Sequence, residues 1–143
     1  MQQVLIIITL FFTSVLLAQD SNKSEKKTLK GITATVVNVL SNNGKVNFAL
    51  FTKENFREIP IMSASSIINN GISTVEFNNV EAGEYAIICY HDANENGRMD
   101  FNENGMPMEN YGTSNNPLNF GPPQFESSKF EVADKNLNLE IKF

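Results

Sequence analysis

The densest chemistry in the chain lies in one short run, Asp92-Ala93-Asn94-Glu95-Asn96-Gly97-Arg98-Met99-Asp100-Phe101-Asn102-Glu103. Oxygen-bearing side chains recur at every second position, Asp92, Asn94 and Asn96, and Gly97 follows where a sharp turn is needed. This is the D-x-[DN]-x-[DN]-G spacing, closed by an acid, of a calcium-binding loop. Calcium is a hard cation that takes about six to eight oxygens. In such a loop Asp92, Asn94 and Asn96 aim inward, the carbonyl of Arg98 contributes, Asp100 binds directly or through water, and Glu103 closes the site. The residues before Asp92 read as a strand, so the expectation is EF-hand loop chemistry without EF-hand helices. On a β domain the closing acid can come from farther along the chain, which makes Glu109 a rival to Glu103. A structural Ca2+ is the implied cofactor; the competing reading is a bare solvent turn, because Asp, Asn and Gly are all common turn formers.

Little else in the chain could do chemistry. His91 is the single histidine and Cys89 the single cysteine. Both lie on one face of the same strand, about 7 Å apart along it, and no third group orients them, so a nucleophile–base pair is not expected. The expectation is a non-enzymatic protein. A lone cysteine also rules out an internal disulfide, which leaves a metal as the available staple for a small exported domain.

Those candidate residues must be held by strands. Ile32 to Val39 is dense in β-branched residues, and Asn43-Gly44 then suggests a hairpin into Lys45–Phe51, with Val46, Phe48 and Leu50 on one face. Thr52 to Phe56 reads as one helical turn capped by Thr52, and Pro60 stops it from extending. Ile72 to Phe77 and Glu84 to Tyr90 follow as strands, the second apolar on both faces and therefore central. Gln124 to Val132 and Asn136 to Phe143 complete the set, the last with Leu137, Leu139, Ile141 and Phe143 facing inward. No stretch shows a 3.6-residue stripe. The pattern predicts an all-β, Greek-key immunoglobulin/transthyretin-like sandwich of about seven strands, with a long acidic loop insertion. A transmembrane barrel does not fit, since its strands must alternate lipid-facing and polar positions.

Organisation and charge bound the rest. Val4 to Ala18 is a nearly unbroken apolar run, too short to span a bilayer but suited to a signal-peptide core, with cleavage after Ala18. Residues 1–18 are thus expected to be a signal peptide, 19–28 a polar flexible spacer, and 29–143 the folded domain. The product would be periplasmic or extracellular, with no membrane span once the leader is removed. A net charge of −5 and a pI near 4.8 exclude nucleic acid as a partner, because that binding needs Lys and Arg against phosphate.

Four runs together resemble a known family. Gly83-Glu84-Tyr85-Ala86, the run from His91 to Asp100, the run from Gly105 to Asn115, and Gly121-Pro122-Pro123-Gln124-Phe125-Glu126 are similar to the bacterial family called domain of unknown function 2141. The resemblance implies a small exported β-sandwich with no assigned activity. It also implies an acid at the position of Glu109 and none fixed at that of Glu103.

Two function classes follow from these readings. One is a calcium-stapled structural or interaction module of the cell envelope, with an envelope protein as partner. The other is a glycan- or ligand-binding module using residues 111–125, where Tyr111, Phe120 and Phe125 sit among Gly, Asn and Pro. Export is checked by intact-mass analysis of secreted material: the chain should begin at Gln19, and a retained leader would overturn the signal-peptide reading.

Overall fold

The computed structural model describes residues 29–118 and 121–143. The expected leader (1–18) and spacer (19–28), together with Phe120 of the aromatic segment, lie outside the described residues.

The described chain is nearly all β and forms two sheets. In order, the strands are β1 (Lys30–Val36), β2 (Lys45–Phe51), β3 (Met62–Ile67), β4 (Ser73–Val80), β5 (Gly83–Asp92), β6 (Tyr111–Thr113), β7 (Phe130–Val132) and β8 (Leu137–Ile141), with α1 (Phe125–Ser128) before β7. One sheet runs β4-β1-β8, in which β8 lies parallel to β1. The other runs β3-β2-β5-β6, and β7 joins β5 at Gly83–Tyr85, end to end with β6 along the same edge. Period-2 alternation sends Ile32, Ala34 and Val36 of β1 inward to meet Val46, Phe48 and Leu50 of β2 and Ile87 and Cys89 of β5 in one shared core. The inward set expected for β8 is also observed, with Ile141 fully buried and Asn138, Glu140 and Lys142 exposed.

Four sequence expectations are corrected. Asn43-Gly44 does not make a hairpin, because β1 and β2 belong to different sheets and pair with other strands. The chain's type I′ turn is instead Asn70-Gly71, where both residues have positive φ (53° and 76°) and Asn69 pairs with Ile72. Of the chain's four Asn-Gly dipeptides, the two that fall between β1 and β2 and between β3 and β4 carry the same local signal, and what selects between them is tertiary: Gly71 O accepts from Val39 N and Gly71 N donates to Asn42 Oδ1, so the β1–β2 crossover packs on this turn. Second, Thr52 to Phe56 is a hydrogen-bonded turn and not a helix. Thr52 does not cap it; Asn55 Oδ1 accepts from both the N–H and the hydroxyl of Thr52. Third, Gln124 to Val132 is not one strand, since it opens with α1, where buried Phe125 packs edge-on against Phe56 at 5.5 Å. Fourth, β3 has no counterpart in the sequence reading, its Met-Ser-Ala-Ser-Ser-Ile composition giving little β signal.

The outer face of the five-stranded sheet positions the site. Phe51, Phe56 and Phe125 stack edge to face over one end of β2 and β5, and a long loop from the end of β5 covers the other. On the inner face Cys89 is completely buried, and burial drives its thiol well above the ordinary range. The Cys89 thiol should therefore resist a soluble disulfide reagent in buffer and react fully in denaturant; fast labelling of the native protein would contradict this core placement.

Candidate functional site: an acidic loop beside an apolar groove

The loop is hung from one carboxylate. Asp92, the last residue of β5, is fully buried, and its side chain points to the outer face of the sheet. Its Oδ1 accepts from Asn96 N (3.0 Å), and its Oδ2 accepts from Gly97 N (2.9 Å) and from Asn47 Nδ2 of β2 (2.9 Å). A buried carboxylate must have its oxygens satisfied, and these bonds wrap the loop around it. Farther out, Asn94 Oδ1 accepts from Asn96 N and Asn96 Oδ1 from Arg98 N, two successive Asx turns. The NH2 groups of Asn94 and Asn96 both donate to Asp100, at 2.7 Å and 3.0 Å.

Glu109 closes this arrangement. Its Oε1 accepts from Ala93 N (3.3 Å) and its Oε2 from Asp100 N (3.2 Å), so one carboxylate bridges the two ends of the loop. Between them, residues 100–108 form a small hairpin held by Met108 N to Asp100 O, a Phe101–Pro107 bridge, and Asn102, whose side-chain oxygen accepts from Asn104 N and Met106 N. Glu103 sits exposed at the tip of that hairpin and takes no part in the network. The structure thus gathers Asp92, Asn94, Asn96, Asp100 and Glu109, keeps Arg98 in the loop through its backbone, and leaves Glu103 outside. Among the described residues, no three His, Cys, Asp or Glu side chains are grouped closely enough to hold a metal by themselves. A cation here would have to draw on the amide oxygens of Asn94 and Asn96 as well.

His91 is structural in its contacts. It is buried, its Nε2 meets Asn43 O at 2.7 Å, and its backbone N donates to Asn110 O. Cys89 and His91 both face the interior of the sandwich.

Beside the loop, an open groove of about 960 Å³ crosses the outer sheet face. Its floor is Ala49 and Phe51 of β2, Ile88 and Tyr90 of β5, and Tyr111 of β6; Met99, Phe101, Met106 and Pro107 of the acidic loop form one wall, and Pro122 and Pro123 the other. Tyr90 and Tyr111 are direct cross-strand partners. Burial pushes the Tyr90 hydroxyl above the usual phenol range; a hydrogen bond with Asn47 opposes this, and the charges of Asp92, Glu109 and Asp100 add to the rise. Of the aromatic segment, Tyr111 lines the groove, while Phe125 is buried in the aromatic stack and unavailable to a ligand.

Sequence reasoning missed Asn47, which also accepts from the Ser65 hydroxyl and so ties β3, β2 and the loop together. Its signal was present as a lone amide on the outward face of an otherwise apolar strand. The groove was missed as well, although four apolar residues within a polar loop pointed to it.

An almost wholly β protein of two sheets, with a self-bonded Asp/Asn loop walling a groove, is the class that the fold and site define. The chain belongs to the family described as "Uncharacterized protein conserved in bacteria (DUF2141)", whose model matches residues 34–140, from within β1 to within β8. No curated protein and no solved structure matches the chain.

Two glycines at the site separate crowding from backbone preference. A Cβ on Gly44 would lie 2.1 Å from Asp92 O, whereas one on Gly97 would meet nothing, and both residues have positive φ. Gly97→Ala should cost about 1 kcal/mol, the left-handed backbone term alone, and Gly44→Ala at least about 3 kcal/mol. Urea unfolding of the two variants checks this ordering; equal costs would mean that the Gly44–Asp92 approach is not close.

Proposed function

We propose that this protein is an exported, non-enzymatic Greek-key sandwich of the immunoglobulin/transthyretin type, whose acidic loop is stapled by calcium for a structural or interaction role in the cell envelope. The strand order supports the topology: β4-β1 in one sheet and β3-β2 in the other is a four-strand Greek key folded over at the β1–β2 connection. Among the described residues no helix is long and apolar enough to cross a membrane.

The calcium reading rests mainly on Asp92. It is a fully buried carboxylate with hydrogen bonds but, among the described residues, no ion pair, and Asp100 and Glu109 bear on the same small region. Buried charge without a counter-charge is costly. Three carboxylates, two amide oxygens and the Arg98 carbonyl make an all-oxygen donor set of the kind calcium takes. Asn94 and Asn96 would give up their donations to Asp100, and their Oδ1 atoms, which already accept from Asn96 N and Arg98 N, would turn a second lone pair toward the ion. Bound there, the ion supplies positive charge and cross-linking to the loop; the side chains provide position. With only three acids the affinity belongs to the weak, extracellular range, on the order of 10⁻⁴ to 10⁻³ M. Among the described aromatic residues of the 111–125 segment, Tyr111 presents a face open to a sugar and Phe125 does not, so the glycan reading is the weaker alternative.

At about ten times its dissociation constant, calcium adds roughly 1.4 kcal/mol by mass action. The melting temperature should rise in millimolar calcium and return with chelator. Asp92→Ala, Asp100→Ala and Glu109→Ala should each remove that response, while Glu95→Ala and Glu103→Ala keep it. A wild-type protein whose melting ignores calcium would reduce the loop to a hydrogen-bonded turn.

A further inference from the structure

The groove is apolar along its length and uneven in charge at its ends. From the Phe51–Ala86 row to the Asn47–Tyr90 row its floor spans five residues of β2, whose four steps cover about 13 Å at the rise of an extended strand. The lining also holds Arg57 and Glu58, exposed sequence neighbours of opposite charge. At the Tyr90 end, Glu109 enters the lining, and its carboxylate is bonded to the loop that carries Asp92 and Asp100. Arg98, the loop's own cation, is exposed and does not line the groove. The result is an electronegative end bordered by the rings of Tyr90, Tyr111 and Phe101, a setting that favours cations both by charge and through the aromatic faces. A second copy of this chain is a poor occupant, because each copy carries a net charge of −5.

We propose that the groove binds a small cationic amphiphile, its tail lying over Ala49 and Ile88 and its cationic head at the Tyr90–Glu109 end. Burial of the tail supplies affinity and the carboxylates select the head. It draws on the same acidic residues as the calcium reading, whose ion would offset their charge, but it needs no metal.

The chain offers convenient reporters. Met99 and Met106 line the groove, Met62 packs against the core, and Met108 is exposed outside the lining. The full chain, labelled with 13C at its methionine methyls and kept in chelator, is titrated with decyltrimethylammonium, decyl sulfate and decyl maltoside below micelle-forming concentrations. Decyltrimethylammonium should shift Met99 and Met106 saturably with Met62 unmoved, and should bind about ten-fold more tightly than either other head. Added salt should narrow that preference. Ala49→Lys, on the half-buried floor, should weaken the ammonium ligand about ten-fold or more, with the Met62 signal confirming the fold. Met106→Ala, at a largely exposed wall position, is the milder variant and should weaken all three ligands. The absence of saturable shifts at the two groove methionines, equal binding of the three heads, or an Ala49→Lys protein that binds like its parent would each overturn the proposal. Because chelator is present throughout, failure of the calcium response leaves this outcome untouched, and the reverse also holds.

Discussion

One buried carboxylate sets the geometry of everything on the outer face of the larger sheet. Asp92 ends β5 with no exposed surface, and its two oxygens are shared among the loop amides of Asn96 and Gly97 and the Asn47 side chain on the neighbouring strand. Without those bonds a charge would be stranded against the sheet, at a penalty of several kcal/mol. Loop and sheet are therefore not independent: the loop folds back because Asp92 needs its N–H groups, and the sheet provides Asn47 to complete the set.

That constraint spreads outward. With residues 92–97 wound around Asp92, Glu109 can reach both Ala93 N and Asp100 N, and the hairpin between them projects as a rigid unit. Its apolar side chains, though partly exposed, then stand as a wall beside Ile88 and Tyr90. The groove is thus a by-product of how the loop satisfies its polar groups. The close approach of Gly44 to Asp92 O adds a second demand, that the β1–β2 crossover have no side chain where it passes under the loop.

At the opposite end of the same face the chain uses apolar contact. Phe51, Phe56 and Phe125 stack edge to face, and α1 is tied to the sheet by buried bonds: the Ser114 hydroxyl accepts from Ile87 N and donates to the Ser128 carbonyl, and the Ser128 hydroxyl donates to Thr113 Oγ1. This fixes where the 121–125 segment comes down and hence where the second wall of the groove stands. It also explains why Phe125, promising in sequence as a stacking residue, is occupied by packing.

The sequence alone determined the β class, the alternating faces of β2 and β8, the central place of β5 and the run of residues that makes the acidic loop. These follow from local periodicity and spacing, which act over a few residues. It also ranked Glu109 as a rival to Glu103, but the loop spacing itself favoured Glu103. Tertiary structure brought Glu109 and not Glu103 into the loop's hydrogen-bond network, because a hairpin closed by Asn102 and the Phe101–Pro107 bridge carries Glu103 away and brings Glu109 back. It likewise decided which Asn-Gly pair turns a hairpin: Asn43-Gly44 and Asn70-Gly71 have the same backbone preference, and only the partners each meets across the sandwich tell them apart. Residues distant in sequence, such as Asn47 and Asp92, have no local signature of their pairing; it exists only once β2 and β5 are in register.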